Sequence, residues 1–430
     1  MDKFDTIVIG AGPGGATAGY LLAKAGLNVL IVERGQTPGS KNVSGGLIYS
    51  KLVSAVYPEF WNSAPVERAI THHQVVMLGN DSSTGLDFRS QAASRPPYNA
   101  FSVLRARFDP WMAKQAEDAG ATLIPGVTVD ALKVENGRVI GIQAGPDELL
   151  ADVVVVAEGT RSLLLKQAGL REEYAPHDVS VGVKEVISLP EQVLQERFQC
   201  DPQTGAAYTF VGQTCGIQGG GFLYTNKASL SLGLVLKIDA LAEKKLQPQQ
   251  VLDSFKAHPL VARLIEGGEL LEYSAQTVHR GGFHLASRLY GNGYVVVGSA
   301  ARLLLNNVVT LRGMDFAVES AALAARAILA ARANGSEMDT AGLSAYADML
   351  RQSSIYKDWR AFKDTYQMLD NERLFQLYPD LAGRVMETLF DPAAGPNPKV
   401  LQTLRREMKG KVSLPALLKD LFQIGRGMAL

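Results

Sequence analysis

Near the amino terminus, Gly10-Ala11-Gly12-Pro13-Gly14-Gly15 follows a short β-rich run, Asp5 to Ile9, and precedes a helical stretch, Ala16 to Ala25, that Gly26 closes. A second β-rich run, Val29 to Val32, then ends on Glu33. The order strand, Gly turn, helix, strand, acid suits the binding of a dinucleotide. Gly10 permits the tight turn, Gly12 lets the backbone approach a diphosphate, and Gly15 lets helix and strand pack closely. With Pro13 and Gly14, the helix start turns free N–H groups and the positive end of its dipole toward phosphates. Glu33 sits close to the roughly twenty-residue offset expected of a carboxylate that takes ribose hydroxyls. Three glycines alone would also suit a structural turn. The surrounding βαβ pattern favours a dinucleotide, but it does not separate FAD from NAD.

Two later segments bear on that choice. Ala151 to Gly159 (ADVVVVAEG) is a continuous apolar run ending in Glu158 and Gly159, as expected of a buried parallel strand rejoining the first sheet. Before it, Val127 to Ala144 alternates around Asn136-Gly137, which predicts an inserted β-meander, and Arg105 to Ala119 reads as a helix ending at Gly120. Further on, the β-rich Gly293 to Val297 leads into Gly298-Ser299-Ala300-Ala301-Arg302, then Leu311-Arg312-Gly313-Met314-Asp315 and an Ala-rich helix to about Arg332. This arrangement resembles the distal FAD motif, Gly-Asp-Ala-Ala, of the p-hydroxybenzoate hydroxylase-like flavoproteins. The resemblance implies that the acid position binds the ribityl chain or a phosphate-side oxygen. It also implies that the helix beyond the loop begins at the flavin, where a helix N-terminus favours negative charge on the reduced ring. Ser299 departs from the motif's Asp and supplies a hydrogen bond without a charge. Arg302 stands where a small residue is common. A buried strand and a packing helix without ligand is the alternative.

Several segments carry a closer resemblance: Arg34 to Gly46 (RGQTPGSKNVSGG), Gly182-Val183-Lys184-Glu185, Gly219 to Asn226 (GGGFLYTN), Ser231 to Leu234 (SLGL) and Leu311 to Asp315 (LRGMD). Over nearly its whole length the chain resembles the bacterial FixC-type family, similar to electron-transfer-flavoprotein:quinone oxidoreductases and, more distantly, to geranylgeranyl reductases. The resemblance implies an FAD-dependent oxidoreductase that takes electrons from electron-transfer flavoprotein and delivers them toward a membrane quinone. FixC-type chains work with a separate small ferredoxin-like iron–sulfur partner, whereas the longer oxidoreductases carry a four-cysteine cluster domain. Cys200 and Cys215, the only cysteines, agree with the shorter type and leave no ligand set for a cluster or structural zinc.

By the same resemblance Lys41, Asn42, Ser44, Gly45 and Gly46 lie beside the flavin, Arg34 is a further cofactor-binding candidate, Arg105 helps to hold the cofactor, and the backbone of Val127 meets the adenine. Each also has a plainer reading, as surface loop, solvated base or ordinary strand residue. With Glu158, Gly159, Gly298, Ser299, Arg312, Gly313 and Met314 they complete the candidate cofactor residues. Gly220 and Gly221 permit close approach to a flat ligand, and Tyr224 is a candidate for lining a quinone pocket, although an aromatic in a sheet is more often a core residue. No metal site is expected: His72 and His73 are adjacent and would point to opposite faces of a strand. Electron transfer through a flavin needs no side-chain nucleophile, so no residue is assigned as catalytic.

These residues need a scaffold of several lobes, and 430 residues supply one. The expected fold is α/β. A Rossmann-type FAD-binding domain with an inserted β-meander takes residues 1–70, 101–172 and 286–335, and an antiparallel-sheet substrate or quinone domain takes 71–100 and 173–285. A C-terminal helical region takes 336–430. Lys+Arg and Asp+Glu each total 43, so bulk charge selects no partner and nucleic acid is not expected. No run reaches the roughly 18 apolar residues of a spanning helix. A cytoplasmic protein is expected, with membrane contact only peripheral, on the inner face of the cytoplasmic membrane. The candidate for that contact is the tail from Lys399 to Leu430, where Gly410 and Pro415 split a basic, leucine-rich stretch into two helices. Docked helices with a solvated basic face are the other reading. Alternative functions are a flavin-dependent isoprenoid reductase, a flavin-dependent aromatic hydroxylase and a low-turnover flavin-binding protein.

Overall fold

The computed structural model describes residues 3–41, 45–281, 288–391 and 399–428. Asn42 and Ser44 lie outside the described residues, as does most of the loop from Asp391 to Lys399. Strand β1 (Lys3–Ile9), helix α1 (Pro13–Lys24) and strand β2 (Val29–Glu33) form the expected βαβ unit. Parallel pairing joins β1 to β2 and to Asp147–Val156, then extends to Thr122–Pro125 on one side and Tyr294–Val296 on the other. Ile7, Val8, Val153 to Val156 and Val295 are all buried, as strands covered on both faces must be. The predicted meander is present: Ala131–Glu135 and Arg138–Ala144 form a hairpin that continues antiparallel onto Asp147–Val156. At its tip Asn136 and Gly137 both have positive φ, 48° and 73°, as a two-residue type I′ turn demands.

Small residues let α1 lie close on this sheet. A Cβ on Gly15 would overlap the Gly10 carbonyl, and one on Gly14 would press on Val297 at 3.3 Å and on Ala317. Ala317 belongs to the predicted Ala-rich helix, Met314–Ala333, whose small side chains admit the same close packing.

The second sheet has nine strands in the order Glu269–His279, Val179–Ser188, Ser229–Lys237, Gly219–Thr225, Thr204–Gly212, Val66–Leu78, Ala100–Val103 and Gly46–Tyr49, with Ser83–Arg89 also on Val66–Leu78. It is mixed rather than wholly antiparallel, because Thr204–Gly212 runs parallel to Val66–Leu78. Strands so far apart in the chain are not joined by a hairpin and need not alternate in direction. The two sheets also divide the chain differently from the expected boundaries. Val66–Leu78 is one unbroken strand across residue 70, and Gly46–Tyr49 and Ala100–Val103 pair with the second sheet. Leu230, Leu232, Leu234 and Phe210 form the core of this lobe with Val251 and Phe255 of the helix Pro248–Ala257.

The C-terminal region is helical. Its last two helices, Val400–Met408 and Leu414–Gly427, are separated at Gly410, which has φ 75°. Pro415 lies in the first turn of the last helix, where its missing N–H is not needed, and the Ser413 hydroxyl accepts from Ala416 N at 3.3 Å. Asp420, 1% exposed, latches that helix by accepting from Arg373 at 2.6 and 2.7 Å and from the Tyr378 hydroxyl.

Candidate functional site

The two sheets enclose a cavity of about 680 Å³ that extends from the α1 turn to the wall of the second sheet. At one end Gly10, Gly12, Pro13 and Gly14 line it, and Gly15 does not: its part is the close contact of helix and strand. Helix α1 has no side-chain cap and no acid in its first turn, so its N–H groups and dipole are left for an anionic ligand. Glu33, 9% exposed, is fixed by two backbone donors, Ala11 N at 2.8 Å and Gly35 N at 2.7 Å, one to each oxygen. Each carboxylate oxygen keeps a further acceptor site. Arg34, Lys41, Val127 and Arg105 line the same end. Arg105 forks onto Asp109 at 2.6 and 2.5 Å. Burial works against its charge, but Asp109, and Glu33 more weakly, more than offset this and raise its pKa above the usual value. An uncapped helix start, a cation beside it and a tethered acid fit the diphosphate and ribose of an adenine dinucleotide.

Other expected residues take different parts. Glu158 and Gly159 line the cavity, but the Glu158 carboxylate is used as a cap. It accepts from Ser162 Oγ at 3.1 Å, Leu164 N at 3.1 Å and Leu165 N at 3.4 Å. Burial raises its pKa, with those donors opposing. Gly298, Ser299, Gly313 and Met314 line the middle of the cavity. Gly298 has φ 62°, and its N–H donates to Ser320 Oγ at 2.9 Å. Arg302 donates to the Glu172 carbonyl at 3.0 Å and lies over the Tyr174 ring at 4.3 Å, outside the cavity lining. Arg312 also lies behind the wall rather than in it. It pairs with Asp315 at 2.6 Å and Asp358 at 2.9 Å and lies over Tyr49 and Phe316. Asp315 is the one acid in the first turn of Met314–Ala333. Arg312 neutralises it, which leaves the helix dipole positive toward the cavity.

The far wall comes from the second sheet. In Gly219–Thr225, Gly221, Leu223 and Thr225 are buried and alternate with Gly220, Phe222 and Tyr224. Gly220, Gly221 and Tyr224 all line the cavity. Gly221 owes its type to the core, however, since a Cβ there would lie 2.7 Å from Phe255. Tyr224 stacks on Phe222 with centroids 5.1 Å apart, and burial raises the pKa of its phenol. Lys184, for which the sequence suggests no role, also lines the cavity although only 4% exposed. A lysine inside the apolar strand Val179–Ser188 was the available signal. Val308, Val309, Leu369 and Phe375 complete an apolar side that sequence reading missed.

Fold and cavity together define a Rossmann-type flavoprotein architecture with a second sheet that walls the cavity. Residues 179–278 match the family described as ETF-QO, ubiquinone-binding, residues 366–429 the ETF-QO/FixC family C-terminal domain, and residues 1–59 the Thi4 family. The chain is 42% identical over 97% of both chains to a probable electron transfer flavoprotein-quinone oxidoreductase, YdiS, of Escherichia coli. It is 40% identical to Protein FixC of that organism, again over 97% of both, and to that of Rhizobium meliloti over 88% of both. In fold it is similar to a geranylgeranyl bacteriochlorophyll reductase-like protein of Thermoplasma acidophilum, with TM-score 0.73, 20% identity, and 99% and 100% of the two chains covered. The chain belongs to the electron-transfer-flavoprotein:quinone oxidoreductase/FixC family of FAD-dependent oxidoreductases, and its chemistry is linked to quinone.

Proposed function

We propose that the chain takes electrons from electron-transfer flavoprotein and passes them toward a membrane quinone, with a separate ferredoxin-like iron–sulfur protein as a further partner. One observation carries this reading: a single cavity joins the dinucleotide turn to the sheet wall contributed by residues 179–278. In this reading Gly12, Pro13 and Gly14 take the FAD diphosphate, Glu33 the ribose, Arg34 and Val127 the adenine side, and Arg105 the phosphate charge. Lys41, Gly45, Gly46, Gly298, Ser299, Gly313 and Met314 adjoin the ring, and Gly220 and Tyr224 line the quinone side. FAD bound there supplies two-electron redox chemistry. The chain's own residues orient the ring, keep water from it and set the local field. Arg312, by holding Asp315, keeps the positive helix start available to that field.

Access to a membrane quinone favours contact with lipid, and the last helix offers a surface for it. Leu414, Leu418, Leu421 and Phe422 repeat at four-, seven- and eight-residue offsets on one face, and all are exposed. Lys409, Lys411 and Lys419 are exposed nearby. An apolar face flanked by lysines suits an anionic bilayer surface. Among the described residues no helix is long and apolar enough to cross a membrane.

The reading is tested by mixing the flavin-loaded chain anaerobically with reduced electron-transfer flavoprotein and then adding a short-chain quinone analogue. Bleaching of the yellow flavin followed by recovery of the colour is expected. Reduction by NAD(P)H but not by the partner flavoprotein would overturn the proposed donor.

A further inference from the structure

Side chains alternate along Val179–Ser188, so adjacent lysine and glutamate point opposite ways. Glu185 turns away from the cavity and pairs with Lys256 at 2.8 Å. Lys184 turns into the cavity, donates to the Gly45 carbonyl and lies 5.7 Å from the centre of the Phe222 ring. It thus reaches from Val179–Ser188 to the Gly45–Gly46 segment at the far end of the same sheet, next to Met314. Among the described residues no carboxylate forms an ion pair with its ammonium. The charged groups that act on it are Arg105, which disfavours its charge, and Glu272 on Glu269–His279, which favours it. Tyr224, the titratable group on the adjoining wall, is kept protonated by burial.

We propose that Lys184 is a positioning residue for electron transfer: its ammonium fixes the Gly45 carbonyl and supplies the positive charge that stabilises an electron-rich ring in the cavity. The inference rests on the FAD site proposed above. A fixed cation in a site shielded from water acts with little screening. Burial, with a smaller contribution from Arg105, lowers the Lys184 pKa to about 7. The ammonium is therefore present below that pH without further cost. Above it, Nζ would take one proton from solvent on reduction, in addition to the proton that a two-electron-reduced flavin itself takes up.

The test is a spectroelectrochemical titration of flavin-loaded wild type, Lys184→Arg and Lys184→Met from about pH 6 to about pH 9. At the acid end Lys184→Met is expected to shift the oxidised-to-reduced ratio about tenfold toward oxidised, or about 30 mV for a two-electron couple. Lys184→Arg should match wild type there, and wild type should fall below it as pH passes about 7. Parallel curves for wild type and Lys184→Arg would overturn the inference, even if Lys184→Met retained no flavin. If flavin binds and is reoxidised by quinone while the curves stay parallel, only the role of Lys184 fails. A wild type that binds no FAD would sink the electron-transfer reading and this inference with it.

Discussion

Glu33 shows how few atoms fix the Gly-turn end of the cavity. Its two oxygens are held by Ala11 N and Gly35 N, so it both ties the Gly turn to β2 and presents a carboxylate to the cavity. Glu33→Gln keeps the shape but sets an amide NH₂ against one of those donors. The loss should be about 1.5–3 kcal/mol, a roughly ten- to hundred-fold weaker hold on FAD, checked by the flavin-to-protein absorbance ratio after dilution. Gly15→Ala tests packing without touching the cavity. Its Cβ would overlap the Gly10 carbonyl, so the turn must shift, and FAD affinity should fall at least tenfold in equilibrium dialysis. Gly10, Gly12 and Gly15 were legible because their spacing sets backbone geometry locally. Arg312 was not: its partner Asp358 lies on another helix, and no local pattern encodes that pairing. Gly221 suits the approach of a ligand in sequence, and in the fold its missing side chain also makes room for Phe255.

Elements with strong local signals could be placed from sequence, and those fixed by distant pairing could not. Asn136-Gly137 identified the meander hairpin, and the alanine run identified Met314–Ala333. The parallel pairing of Thr204–Gly212 with Val66–Leu78 depends on which strands meet in space, and alternation alone does not encode a neighbour. The last helix depends on another distant contact. Hydrogen bonds from Arg373 lower the Asp420 pKa to about 2, although burial opposes them. An Asp depressed in the folded state contributes stability that is complete above its unfolded pKa near 3.9 and is lost as pH falls toward about 2. Asp420→Ala should therefore detach the Leu414–Gly427 helix at neutral pH, at a cost of about 1–3 kcal/mol. Faster proteolysis after Gly410 would show it, and the difference from wild type should narrow in acid. Equal cleavage at neutral pH would argue against the latch.

On the scale of the whole molecule, the architecture brings a dinucleotide turn and an apolar wall to opposite ends of one cavity, with a basic, leucine-faced helix on the outside. Replacing Leu418, Leu421 and Phe422 together by Gln should leave flavin content unchanged, since all three are exposed. It should abolish sedimentation with phosphatidylserine-containing vesicles, and undiminished binding would remove the lipid role of that face. In the proposed function, electrons held in this cavity leave to a quinone. Stopped-flow mixing of the photoreduced, FAD-loaded chain with a short-chain ubiquinone analogue in the absence of oxygen shows whether they do. Recovery of oxidised flavin at a rate that rises with quinone concentration and saturates is the expected result; a flavin that stays reduced at every concentration would contradict it.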